Sequence, residues 1–104
     1  MSDKPMPVVL ENWRPLVRNT LRGFATVRVG ALKISDVAVH VKNDRTWAQL
    51  PSKPQIGQDG IARRNDAGKI QYSPVIEWTT RESADRFSDG VVAAINGEHP
   101  DALQ

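Results

Sequence analysis

From Leu21 to Val29 apolar and polar residues alternate, with Leu21, Gly23, Ala25, Val27 and Val29 on one side and Arg22, Phe24, Thr26 and Arg28 on the other. A period of two is that of a strand with one face in a core. Gly30-Ala31 follows, and glycine in first position suits a two-residue type II′ hairpin loop because it accepts positive φ. That loop sets Val29 opposite Leu32 and Val27 opposite Ile34. Past Ile34 the alternation breaks, then resumes out of phase as Val37, Val39 and Val41. A β-bulge at Ser35-Asp36 restores the face, since one extra residue shifts the phase by one. Asn43-Asp44 offers a second tight turn, which pairs Val41 with Thr46, Val39 with Ala48 and Val37 with Leu50.

The opposite face of these hairpins then carries Arg28 beside Lys33, His40 beside Trp47, and Lys42 beside Arg45. A second turn one residue longer sends Trp47 inward instead, so Trp47 is either a core residue or an exposed aromatic platform. Pro51-Ser52-Lys53-Pro54 ends the third strand. Residues 54 to 69 are too many for an idle loop, and residues 61 to 64 and 69 to 72, flanking Asn65-Asp66-Ala67-Gly68, predict a short β-finger with arginines near its tip. Residues 75 to 78 read as a fourth strand. Thr79, with Glu82 three residues on, forms a capping box that opens a helix, and Gly97 closes it as the residue after its C-cap. Ala84, Phe87, Val91, Ala94 and Ile95 keep helical spacing toward the sheet, and Gly90 permits close approach to a strand. Residues 1 to 11 are expected to be a flexible N-terminal segment, Trp13, Pro15, Leu16 and Val17 a docking arm, and residues 98 to 104 a tail. The expectation is one α+β domain over residues 12 to 97, a twisted antiparallel β-sheet of four to five strands with the C-terminal helix packed on one face.

A chain of 104 residues, 39% hydrophobic and 25% charged, has the size and balance of a single globular domain. It contains no cysteine, which removes disulfides, thiolate metal sites and cysteine nucleophiles. No apolar run approaches the ~20 residues of a membrane span, and the N-terminus has no apolar signal core, so a soluble, cytoplasmic protein without membrane contact is expected. Charge is unevenly placed. Residues 12 to 53 carry eight Lys or Arg against Asp36 and Asp44, whereas residues 77 to 104 carry a net −4. One surface is therefore expected to attract anions. His40 and His99 stand alone without metal-ligand spacing. The glycines form no phosphate-binding loop, dinucleotide fingerprint or nucleophile elbow. Neither catalysis, a cofactor, a metal nor a small-molecule substrate is expected.

The segment Leu32-Lys33-Ile34-Ser35-Asp36-Val37-Ala38-Val39, followed by Pro51-Ser52-Lys53 and then Asp59-Gly60, resembles the stage V sporulation protein G family of bacteria. Phe24-Ala25-Thr26-Val27-Arg28-Val29 before it and Ser73-Pro74-Val75 after it keep the same order, and the likeness spans about residues 22 to 97. The resemblance implies a small homodimeric sheet protein that binds nucleic acid and acts in regulation. The chain departs from that pattern in an N-terminal arm with Trp13, a longer loop around Arg63 and Arg64, and an acidic rather than basic helix start.

Together these readings predict a non-catalytic nucleic-acid-binding protein acting as a homodimer. Arg28, Lys33, Lys42 and Arg45 are the expected phosphate contacts and Trp47 a stacking residue, with Lys53, Arg63 and Arg64 as further basic contacts. Asp36 is expected to serve the bulge, its carboxylate bonding nearby backbone amides. The competing expectation is a protein-interaction module that uses an open sheet face or edge without nucleic acid.

Overall fold

In the computed structural model, which describes residues 5–103, four strands form an antiparallel meander: β1 (Val9–Arg18), β2 (Leu21–Val29), β3 (Leu32–Lys42) and β4 (Arg45–Gln49), in that spatial order. β5 (Ser52–Pro54) and β6 (Tyr72–Pro74) make a separate two-stranded sheet, and one helix, α1 (Arg81–Glu98), ends the fold. The α+β architecture expected from the alternation is the one observed. The registers of both hairpins are also as expected, Val29 opposite Leu32, Val27 opposite Ile34, Val41 opposite Thr46 and Val39 opposite Ala48. Gly30 takes φ 60° and Asn43 φ 55° in the two turns. The bulge lies where the phase break demands it: Val27 pairs with Ile34 but Ala25 with Val37, and Asp36 sits at φ 58°. The pairing of Val37 with Leu50 does not form, because β4 stops at Gln49; Leu50 still packs against the core.

Several expectations are corrected. Residues 9 to 11 begin β1 rather than ending a flexible segment, and the supposed arm is a full strand paired along β2. Two register shifts, at Glu11 and at Leu16-Val17, break its alternation; as an edge strand it tolerates Pro15. Residues 5 to 8 lie along the helix, with Met6 N donating to Arg86 O at 2.9 Å. Residues 1 to 4 and Gln104, also assigned to the two terminal segments, fall outside the described residues. Residues 75 to 78 form no strand. The β5–β6 register would bring Val75 opposite Pro51, which has no N–H to extend the ladder. Leu21 pairs with His40 after a further irregularity at Arg22, leaving the core face.

The helix is capped by Thr80, not Thr79: the Thr80 hydroxyl oxygen accepts from Ser83 N at 3.1 Å. Gly97 lies inside the helix, which runs on to Glu98. Pro100 sets the stop, because the residue before a proline is driven out of the helical region, and His99 is at φ −135°, ψ 74°. Ala102 and Leu103 return to pack against the core, so the tail is part of the domain.

The core lies between one sheet face and the helix. Ala25, Val27, Ile34, Val37 and Val39 meet Phe87, Val91 and Ile95 there, all fully or nearly fully buried. Each large side chain so placed contributes roughly 1.5–3 kcal/mol. Trp78 tilts against Phe87, with ring centroids 5.3 Å apart. Trp13, on the core side of β1, lies over Gly23, where any Cβ would fall 2.7 Å from its ring. Gly90 does allow a close approach, but to the N-terminal segment rather than a strand. A Cβ there would collide with Met6 O and stand 2.8 Å from Val8 Cγ2.

Gly90→Ala is therefore expected to destabilise the fold by about 1–3 kcal/mol through overpacking, although alanine is the better helix former by about 1 kcal/mol. Urea denaturation reads the difference, and a stabilised variant would mean that the N-terminal segment does not rest on the helix.

Candidate nucleic-acid interface

Because the helix covers one face, strand alternation turns a second set of side chains to the other. Cross-strand pairing arranges them in rows. Arg28 and Lys33 occupy the row nearest the first hairpin turn, with Val9 beside Arg28. Arg14, Phe24, Ala38 and Gln49 form a middle row across all four strands, and Arg18, Leu21, His40 and Trp47 form the next. Lys42 and Arg45 close the series at the second turn. By strand rise, Lys33 and Lys42 lie roughly 25–30 Å apart on β3. The two expected basic pairs thus mark opposite ends of the face.

Between those ends stand three rings. Phe24 is half-buried, and the Arg14 guanidinium lies over it at 5.2 Å from the ring centroid, a cation–π distance. The same guanidinium is 3.7 Å from the Asp36 carboxylate. The Asp36 side chain therefore faces Arg14 across the sheet surface, and the expected bonds from its carboxylate to the bulge's backbone amides do not form among the described residues. His40 and Trp47 are stacked, with centroids 5.3 Å apart and planes 11° from parallel. Trp47 is half-buried on the outer face, which decides between its two expected placements: it is outside the core. It also borders a small hollow beside Arg45, Ala48, Ala84, Asp85 and Ser88.

The free cations are distributed along this face. Arg28 is 3.7 Å from Glu11, so its repulsion with Lys33 is partly answered within the protein. Among the described residues no carboxylate lies within ion-pair distance of Arg18, Lys33, Lys42 or Arg45. Unpaired like charges directly opposite one another, as Lys42 and Arg45 are, disfavour the free state slightly and leave a place for an anion.

Lys53, Arg63 and Arg64 form a separate group on the finger. It is longer than the expected one: Gln55 N donates to Gln71 O and Arg63 N to Gln55 O, each at 2.8 Å, and Arg64 pairs with Ile70. Lys53 and Arg63 line one shallow hollow with Ile56 and Ser73. Arg64 is engaged locally, donating to Gly68 O at 2.8 Å, so it braces the tip. Arg14, Arg18 and Phe24 join the face without being among the site residues expected from the sequence. Phe24 was legible as outward-facing, but the two arginines join the face only because residues 12 to 18 are a strand.

His40 is the histidine of the face. Its Nδ1 is 3.0 Å from Thr20 Oγ1, and its buried Nε2 has no hydrogen-bond partner among the described residues. Burial pushes its pKa below the usual 6.5, an effect that the neighbouring Gln49 side chain opposes only in part. Among the described residues no three His, Cys, Asp or Glu side chains are grouped to hold a metal ion, and no helix is long and apolar enough to cross a membrane.

Comparison of the chain with family models, with curated proteins and with solved structures finds no match.

A histidine held neutral by burial favours the folded state fully above its unfolded pKa of about 6.5, and that contribution is lost as pH falls through the lower folded value. The melting temperature is expected to fall between pH 8 and pH 5, and His40→Gln to reduce that fall. An equal fall in both proteins would place the acid sensitivity elsewhere.

Proposed function

We propose that this protein is a non-catalytic nucleic-acid-binding regulator that works through the outer face of its four-stranded sheet. The observation that carries the reading is the rows themselves: Phe24 and the His40–Trp47 stack stand among Arg14, Arg18, Arg28, Lys33, Lys42 and Arg45 on a face the helix leaves uncovered. Phosphates supply the counter-charge that Arg18, Lys33, Lys42 and Arg45 lack, and base faces match the half-buried rings. Lys53 and Arg63 on the finger form a second, separate basic group. The resemblance of residues 22 to 97 to the stage V sporulation protein G family, carried by residues 32 to 39, Pro51-Ser52-Lys53 and Asp59-Gly60, supports the same reading.

The proposal includes a second copy. Leu16 and Val17 on the edge strand β1 are 50% and 72% exposed, and Ile56, Ile61, Tyr72 and Val75 on and beside the finger are each more than half exposed, an apolar excess that a homodimer covers. The open β1 edge also favours a second reading, in which another polypeptide adds a strand there without any nucleic acid. Salt separates the two, since only phosphate binding releases condensed counterions.

If four phosphates are neutralised, the logarithm of affinity for a single strand falls with log salt at a slope of about −3. Lys33→Ala and Arg45→Ala are expected to flatten that slope, and Asp36→Asn to strengthen binding. Asparagine tolerates the positive φ of that position, so only the charge changes. Fluorescence anisotropy across a salt series reads all three, and affinities indifferent to every one of these substitutions would remove the surface assignment. Light scattering is expected to give twice the chain mass at micromolar concentration; a monomer mass would remove the second copy.

A further inference from the structure

The shape of the face narrows what it takes. Four strands at about 4.8 Å spacing present a surface about 14 Å wide between outer strand axes. The major groove of duplex DNA, about 12 Å wide, admits a helix or a two-stranded ribbon. This sheet is broader than that, and its rings stand on the flat of the sheet rather than on a protruding element. Rings on a flat sheet meet bases only when those bases are unpaired and splayed. Resting on the nucleic-acid reading above, we infer that the outer face takes single-stranded nucleic acid, with one base stacked on Phe24 and a second on Trp47.

The two rings serve different bases. They are two strands and one outer row apart, on the order of 12 Å by strand spacing and rise, too far to clasp one base between them. Ala38 is the small residue on β3 directly beside Phe24, leaving room above the middle row. In the free protein the Arg14 guanidinium covers Phe24 at 5.2 Å, held from beyond by Asp36 at 3.7 Å. Both partners of that ion pair are about two-thirds exposed, so the bridge is weak and a base displaces the guanidinium from the ring. Arg14, permanently charged, then turns to the phosphate of the same nucleotide. His40 backs Trp47 from one side, which leaves the other side of the ring for a base; the hollow that Trp47 borders lies at the β4 edge against Ala84, Asp85 and Ser88 of the helix and is not part of this face.

The test uses the full chain and four probes of equal length at one salt concentration: oligo-dT, oligo-rU, a DNA duplex, and an oligodeoxynucleotide whose central residues are abasic. Oligo-dT, oligo-rU or both are expected to bind at least tenfold tighter than the duplex and the abasic strand, and which of them leads tells DNA from RNA. Phe24→Leu and Trp47→Leu are each expected to weaken single-strand binding by roughly 5- to 100-fold, with duplex affinity and salt slope unchanged. Thermal melts of both variants accompany the titrations, and the abasic probe needs no substitution. Abasic binding equal to oligo-dT, or duplex binding as tight as either single strand, overturns the inference while leaving the anionic-ligand surface in place. Salt-dependent binding to none of the four overturns both.

Discussion

Asp36 occupies the left-handed region, and the extra residue inserted there is what lets β3 keep one apolar face along its whole length. Ile34 lies before the bulge and Val37 and Val39 after it, yet all three are buried in the same core. Without the shift the valines would turn to solvent and Ala38, His40 and Lys42 inward. The core under the helix and the basic aromatic face above it are therefore two consequences of one backbone irregularity. The carboxylate at that position also reaches across to Arg14, so the residue that sets the faces touches the chemistry of the outer one.

A single helix covers a single sheet face, and this imbalance shapes the rest of the molecule. The N-terminal segment lies along the helix at Gly90 and the C-terminal residues fold back beside it, thickening the core side only. Among the described residues no segment packs over the other face in this way, and its guanidinium groups stay exposed beside half-buried rings. Half-buried aromatics on an uncovered sheet would weaken solubility if they stood alone. Interleaving them with Arg14, Arg18 and Lys33 keeps the face hydrated until a ligand of opposite charge and flat apolar rings displaces the water.

The parts legible in the sequence are those with local causes. Gly30-Ala31 and Asn43-Asp44 fix turns, turns fix register, and register places Arg28, Lys33, Lys42 and Arg45 on the outer face; Trp47 depends on the length of the second turn, which the Lys42–Arg45 pairing sets at two residues. β1 was illegible because two irregularities interrupt its alternation and Pro15 argues against a strand; only pairing with β2 overrides these signals, and with it Arg14 and Arg18 join the face. The helix start differs from the expected one by one residue and its end by three, for a related reason. Thr79 and Thr80 are adjacent hydroxyl caps, and the bond to Ser83 chooses between them, while Pro100 rather than Gly97 ends the helix. The finger was foreseen as a hairpin, but the engagement of Arg64 with Gly68 depends on the geometry of its tip.

Cross-linking shows directly which face of the protein meets the ligand. Ultraviolet irradiation of the full protein with a single-stranded oligonucleotide, followed by peptide mass spectrometry, identifies the residues against which bases lie. Cross-links at Phe24 and Trp47, lost under high salt, are the predicted result. Cross-links confined to the helix Arg81–Glu98, or to the finger around Arg63, would contradict it.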